Sequence, residues 1–182
     1  TNEITSNAVS SEQKLMVVFK SLGVTCSGNE VVKGLEEIKS EARKIFNDDS
    51  FVEDLNISLD GYSITYNETN NNYIVKLNSC PASEDFIVKS IVKATQSDDE
   101  IYIYQAFGYF IKGPENKYFV YDSALKTNQI GEFIDEVGNK EFNQIEELKQ
   151  FKWTFKKSSD NNYYFVSVTP VIWLNKSLKL FK

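Results

Sequence analysis

The chain has 182 residues, enough for one domain that buries a core without metals or disulfides. Hydrophobic residues make up 41% and charged residues 25% of it, a composition that argues against global disorder. Acidic residues outnumber basic ones, 26 to 20, and no segment gathers a sustained positive face, so nucleic acid is not an expected partner. No apolar run reaches the ~18 residues that span a bilayer, so we expect membrane contact only through an anchor outside this chain.

The first predicted elements are helices. Residues 1–10 are polar and are predicted to be a flexible N-terminal linker, and residues 11–182 to be a single domain. Apolar residues at helical spacing predict a short helix over residues 11–22. A longer amphipathic helix is predicted over residues 29–47, where an apolar stripe faces a charged one.

Beyond residue 47 the apolar period changes to two, which predicts strands. The last of them form a hairpin over residues 151–168, in which aromatic residues alternate with lysine and threonine. One further short helix is expected near residues 142–148. The other predicted strands cover residues 55–59, 62–66, 73–77, 86–95, 101–112 and 117–122.

Helices followed by an antiparallel meander predict an α+β fold, with N-terminal helices packed on a strongly bent antiparallel β-sheet. The long helix covers one face of that sheet. The other face must be covered by a partner, by the terminal segment, or by the sheet closing on itself into a cone. Only the last arrangement would enclose a pocket.

The segments from Lys89 to Tyr104 and from Phe151 to Val168 carry a resemblance to known proteins. They are similar to segments of uncharacterised, membrane-anchored proteins of low-GC Gram-positive bacteria, and the chain resembles the NTF2-like, cystatin-like cone fold. This resemblance implies an extracytoplasmic domain behind an N-terminal anchor. It implies no reaction, because that fold hosts enzymes, binding proteins and dimerisation modules alike.

The chain contains no histidine, which removes Ser-His and Cys-His nucleophilic systems and zinc sites with imidazole ligands. Neither a phosphate-binding loop nor a dinucleotide-binding glycine motif occurs, so we expect no cofactor. Carboxylates cluster at Asp48 and Asp49 and from Asp98 to Glu100. Such clusters suit calcium, but they are also typical of solvated turns, and we therefore expect no metal.

Five aromatic residues are the candidates for ligand binding. They could line an apolar pocket with a few polar groups, or they could equally fill an ordinary core between a sheet and a helix. Apolar residues at every second position indicate that one side of a strand is buried, but they do not distinguish a pocket from a filled core. The candidates are Tyr102, Tyr104, Phe110, Trp153 and Phe155.

Cys26 and Cys80 are the only cysteines. Paired, they would close a loop that stabilises the fold by roughly 4 kcal/mol on the chain-entropy model. A domain of this size does not require such a bond, so two unpaired residues are the alternative.

Large apolar residues follow the last predicted strand, at Trp173, Leu174, Leu178 and Phe181. Apolar groups in such a segment either dock on their own sheet or meet a second chain, which would make a homodimer.

These observations favour a non-enzymatic extracytoplasmic domain, membrane-anchored or secreted. Its partner would be a protein, an envelope component or a small ligand. The alternative is a small-molecule enzyme with a conical pocket that uses a buried carboxylate and a tyrosine. An enclosed pocket holding a carboxylate would favour the enzyme, and a filled interior would favour the binding domain.

Overall fold

The computed structural model describes residues 3–24, 30–52, 56–59, 61–77, 85–123, 125–136, 138 and 141–171. Its helices are α1 (Ser11–Ser21) and α2 (Leu35–Phe46), with short 3-10 turns at Ser6–Ala8, Ser50–Val52 and Ile145–Glu147. The strands are β1 (Ile4–Thr5), β2 (Val31–Gly34), β3 (Ile57–Leu59), β4 (Tyr62–Asn67), β5 (Asn72–Leu77), β6 (Phe86–Gln96), β7 (Glu100–Lys112), β8 (Lys117–Tyr121), β9 (Gln129–Ile134), β10 (Lys149–Lys157) and β11 (Tyr163–Pro170).

The predicted helix over residues 11–22 is confirmed as α1, and its start is set by a capping box. The Gln13 N–H donates to Ser10 Oγ at 3.3 Å, and the Ser10 N–H donates back to Gln13 Oε1 at 3.2 Å. Two N–H groups that the helix itself cannot pair are therefore satisfied by side chains.

The predicted helix over residues 29–47 is wrong in its first part. Residues 31–34 form strand β2, which pairs with β5 so that Val31 lies opposite Val75. Gly34 is the N-cap of α2, and the Leu35 N–H donates to the Asn71 carbonyl at 3.0 Å. Glycine disfavours the helix interior and β-branched valine favours a strand, so the switch at Gly34 follows local preference once β5 is beside it.

A small antiparallel sheet of order β2-β5-β4-β3 packs with both helices around a first core. Tyr73 is fully buried in this core, and its hydroxyl donates to the Val52 carbonyl. The Phe19 ring meets the Tyr73 ring edge-on, with centroids 5.7 Å apart. Besides these two rings, the first core contains Leu15, Val18, Ile38, Ala42, Ile64 and Val75.

The large antiparallel sheet has the order β1-β11-β10-β7-β8-β9, with β6 also paired to β7. The long strand β7 pairs with β6 along one edge and with β10 and then β8 along the other. The predicted hairpins β6-β7 and β10-β11 are confirmed. Strand β9 was not predicted, and the expected helix near residues 142–148 is only the 3-10 turn at Ile145–Glu147.

A second core lies on one face of the large sheet, around Phe110. Gly108 permits this packing, because a Cβ there would lie 2.8 Å from Leu148 Cδ2 and 2.8 Å from the Phe110 ring. Phe110 stacks on Phe86 with centroids 4.6 Å apart and meets Phe142 at 5.0 Å. The other buried members of this core are Ala106, Tyr118, Val120 and Leu148.

The predicted fold class, N-terminal helices packed on one strongly bent antiparallel sheet of the NTF2-like or cystatin-like kind, is wrong. The described part of the chain is mostly β, with 48% of residues in strands and 22% in helices, and it contains two antiparallel sheets. The strands of residues 31–77 pair with one another and do not extend the sheet of β6 and β7. The helices consequently find most of their apolar partners on this small sheet.

Within the stretch predicted as a linker, β1 pairs with β11, so that Ile4 lies opposite Val168. In the described part of the chain, no helix is long and apolar enough to cross a membrane.

Several predictions concern residues outside the described ranges, namely Cys26 and Cys80 for the disulfide and Trp173, Leu174, Leu178 and Phe181 for the homodimer.

Candidate functional site

Strand register divides the large sheet into two faces, because residues directly opposite each other in an antiparallel pair lie on the same face. Trp153 is opposite Ile103 on one side and Val168 on the other. We call this side of the sheet the Trp153 face. Its members include Ile4, Ile91, Ile101, Ile103, Gln105, Phe107, Phe151, Trp153, Phe155, Phe165 and Val168, and Lys89 and Lys149 lie on it opposite Phe107.

The five predicted ligand-binding residues do not form one group. Trp153 and Phe155 share the Trp153 face, and both rings approach Phe165, with centroids 5.9 and 6.2 Å away. Tyr102 and Tyr104 lie on the opposite face, as does Phe110, which is a fully buried member of the second core.

The opposite face near the two tyrosines is a surface of aromatic and cationic side chains. The Tyr102 hydroxyl donates to Glu100, and this hydrogen bond raises the pKa of Tyr102. The Lys152 ammonium lies 5.3 Å from the Tyr102 ring, and the Lys93 ammonium lies 5.7 Å from the Tyr104 ring. Strand register places both tyrosines on this face, away from the grooves of the Trp153 face.

Burial along β10 is opposite to what its sequence suggests. Gln150 and Thr154 are only 5% and 8% exposed, whereas Phe151, Trp153 and Phe155 between them are half-buried. Among the described residues, Val17, Ile45 and Phe46 of the helices face this side of the sheet, where they line a groove with Trp153, Phe155 and Phe165. Around Trp153 the apolar side of the strand is therefore less buried than Gln150 and Thr154 on the polar side, although Lys156 on the polar side is exposed.

Three open grooves meet at Trp153. One of about 430 Å³ runs between the sheet and the helices and is lined by Val17, Ile45 and Phe155. A second of about 270 Å³ lies toward the β6 edge, beside Ile91. A third of about 220 Å³ lies at the other end of the face, next to Phe107 and Phe151. Together they make a continuous apolar surface that follows β10.

Polar groups interrupt this apolar surface, including Gln13, Asp122 and Ser123, which also line the grooves. The Trp153 Nε1 atom is buried and has no hydrogen-bond partner among the described residues. Gln105 lines two of the three grooves beside it. Leaving a buried N–H unpaired costs about 1 to 3 kcal/mol.

An ion pair closes one end of the Trp153 face. Lys149 Nζ lies 2.7 Å from Asp122 Oδ2, and Asn128 Nδ2 donates to the same oxygen at 3.0 Å. Burial alone would raise the pKa of Asp122, but the hydrogen bonds from Lys149 and Asn128 outweigh it and hold the pKa below its usual range. This carboxylate is thus kept ionised and engaged, and no tyrosine lines the groove beside it. The corner suits orientation of a bound group better than proton transfer.

The acidic clusters show local hydrogen bonding. Asp48 accepts hydrogen bonds from the Ser50 N–H and hydroxyl at 2.9 and 2.7 Å, which lower the pKa of Asp48. Among the described residues, no group of three or more His, Cys, Asp or Glu side chains could hold a metal ion.

Sequence reasoning missed Ile91, Gln105 and Val168. Apolar and polar residues alternate along their strands much as they do along β10. This alternation does not say which residues of one strand share a face of the sheet with which residues of the next strand. Register shifts near Val92 in β6 and between Thr154 and Phe155 change the phase within a strand.

Comparison with known proteins identifies no relative of this chain. No protein-family model, no curated protein and no solved structure matches it.

Proposed function

We propose that this protein is a non-enzymatic binding domain whose Trp153 face takes up an apolar segment of a partner protein. The single observation that carries this proposal is the meeting of three open grooves at Trp153 on a half-buried apolar face. Extended apolar surfaces of this kind usually mark interaction sites. A small molecule needs an enclosing cavity, whereas an open surface that follows a strand suits a polypeptide.

The energetics of the face also fit a protein partner. Burying apolar surface contributes about 25 cal/mol per Å², and tryptophan is the residue type most often responsible for binding energy at interfaces. Binding would then centre on the Trp153 side chain, which lines all three grooves.

The alternative enzymatic function gains no support from the site, because the nearby carboxylate of Asp122 is already paired with Lys149. An extracytoplasmic location stays a prediction based on the resemblance. Degradation of the chain by protease added to intact host cells would support that location, and protection until lysis would contradict it.

A peptide library displayed on phage and selected on the native chain tests the proposed binding. Selected peptides should be apolar, and their affinity should fall at least tenfold for Ile91→Glu, which puts a charge beside the grooves at a position that is 64% exposed. The matched control is Ile134→Glu, because Ile134 is 61% exposed on β9, at another edge of the same sheet. Peptides that bind the parent chain, Ile91→Glu and Ile134→Glu equally well would contradict the proposal. A selection that enriches no peptide would contradict it too.

A further inference from the structure

We propose that this protein has a second binding site, which takes an acidic polysaccharide, that is, a chain of sugars that carry carboxylate groups. The site consists of a groove at the edge of β11 and of the sheet face beside it, on the side opposite the Trp153 face. This inference goes beyond the binding of an apolar segment at the Trp153 face and does not depend on it.

Strand register gathers polar side chains on the face opposite the Trp153 face. Lys152 of β10 lies opposite Tyr104 of β7, which in turn lies opposite Lys93 of β6. We call the part of this face beyond the second core the tyrosine face. Its members include Lys93, Thr95, Glu100, Tyr102, Tyr104, Lys152, Thr154, Lys156, Tyr164, Ser167 and Thr169. Each of these side chains carries a hydroxyl, ammonium or carboxylate group, so the face offers hydrogen bonds along its whole length.

The lysines of the tyrosine face supply a local positive charge. Among the described residues, no carboxylate forms an ion pair with Lys93, Lys152 or Lys156, although lysines elsewhere in the chain are paired. The Glu100 carboxylate, opposite Lys156, accepts the Tyr102 hydroxyl instead. In a chain of formal net charge −6, this face therefore complements an anionic ligand.

Two of these lysines are held in place by tyrosine rings. Lys152 Nζ lies 5.3 Å from the centre of the Tyr102 ring, and Lys93 Nζ lies 5.7 Å from the centre of the Tyr104 ring. A cation over a ring keeps its charge and its N–H donors. Because the two side chains are already ordered, a carboxylate that binds them costs less conformational entropy than one that binds free lysines.

A groove of about 420 Å³ adjoins the tyrosine face at the edge of β11. Strand β1 pairs with Ser167 and Val168 and then turns away at Ser6–Ala8, which leaves the groove beside residues 164–166. Its volume is in the range of ~300 to 1,000 Å³ that is typical of ligand sites. The lining combines the apolar residues Phe46, Phe165 and Val166 with the polar residues Thr5, Ser6, Asn7, Lys156 and Tyr164.

This combination of groups suits a sugar ring that carries a carboxylate. A sugar presents C–H groups on its ring faces and hydroxyl groups around its rim. Its ring packs on Phe165 while its hydroxyl groups exchange hydrogen bonds with Ser6 and Asn7. The exposed Lys156 ammonium pairs with the carboxylate. Since Lys156 and Tyr164 belong both to the groove and to the tyrosine face, the neighbouring sugars of a chain continue over that face.

Other anionic ligands match this surface less well. Bases of single-stranded nucleic acid stack on free aromatic rings, whereas lysines lie over the rings of Tyr102 and Tyr104. A lipid surface is bound through apolar side chains that enter the bilayer, and the named members of the tyrosine face are polar.

A glycan array that carries uronic-acid oligosaccharides and neutral oligosaccharides tests the inference. The chain should bind uronic-acid oligosaccharides and no neutral ones, and the affinity for the best-bound glycan, measured by isothermal titration calorimetry, should fall as salt is added. Lys156→Gln should lower this affinity by about fivefold, and Lys156→Arg, which keeps the charge, should retain most of it. Binding to no uronic-acid glycan, or equal binding to neutral ones, would overturn the inference.

Lys126→Gln is the matched control for Lys156→Gln. Lys126 is also an exposed lysine over a tyrosine ring, with its ammonium 5.5 Å from the centre of the Tyr109 ring, and it lies outside the tyrosine face. Its loss should leave the affinity within about twofold of that of the parent chain. A loss of affinity as large as that of Lys156→Gln would show that overall charge and not this site binds the glycan, and would overturn the inference.

Two further measurements complete the test. Thermal melting confirms that each variant is folded, as expected for substitutions of exposed lysines. An oligothymidylate titrated into the chain should bind more weakly than the best uronic-acid glycan. Tighter binding of the oligothymidylate, lost in Lys156→Gln, would assign the surface to single-stranded nucleic acid and would overturn the inference.

Discussion

The second core and the Trp153 face come from the same sheet and from strands with the same alternation, yet they differ in exposure. Phe110 is fully buried, because Phe86, Phe142 and Leu148 cover it. Trp153, on the other face, is half-buried and lies among open grooves. Alternating aromatic residues therefore indicate that a strand has an apolar side, but not that the rest of the domain covers this side.

The largest expected effect is the loss of a ring from the covered side. Phe110→Ala should lower the free energy of unfolding by about 4 kcal/mol, because it leaves a cavity among side chains that cannot collapse into it. Urea denaturation followed by circular dichroism measures this change. A loss below about 1 kcal/mol would mean that the second core is not close-packed.

An intermediate effect is expected at the ion pair that closes the Trp153 face. Asp122→Asn should destabilise the fold by about 2 kcal/mol at pH 7, because the partly buried Lys149 loses its charged acceptor. Since folding lowers the pKa of Asp122, the stabilisation is present above the ordinary pKa of about 3.9 and disappears as the pH falls below it.

Denaturation of the parent and of Asp122→Asn at a series of pH values checks this sign. The difference between the two chains should shrink below about pH 4, and a difference that is constant with pH would contradict the assignment. Glu132→Gln is the matched control, since its pair with Lys117 is more exposed, and it should change stability by less than about 1 kcal/mol.

The smallest effect on stability is expected at Phe155 on the Trp153 face. Phe155→Ala should lower the free energy of unfolding by about 1 to 2 kcal/mol, at most about half the effect at Phe110, because the Phe155 ring faces a groove and is only partly packed. The same urea titration measures it. A loss as large as that of Phe110→Ala would show that Phe155 is a core residue and would remove it from the binding face.

Local physical chemistry accounts for the parts of the fold that the sequence predicted. Helix α1 and the hairpins β6-β7 and β10-β11 depend on side-chain periodicity, caps and short turns within neighbouring residues. The start of α2 was misplaced because the strand character of Val31 and Val32 becomes decisive only when β5 lies beside them. The fold class was wrong for the same reason, since strand pairing partners are a non-local property.

The candidate site, like the fold, was predictable from the sequence only in its local features. The alternation around Trp153 and Phe155 by itself determined that the hairpin has one apolar side. Only the tertiary structure decided that Tyr102, Tyr104 and Phe110 lie on the opposite face, because strand register and β-bulges set the phase between neighbouring strands. It alone also decided which side is covered: the second core covers the Phe110 side, whereas on the Trp153 face the described helices lie near Phe155 and Phe165 and leave grooves beside Trp153.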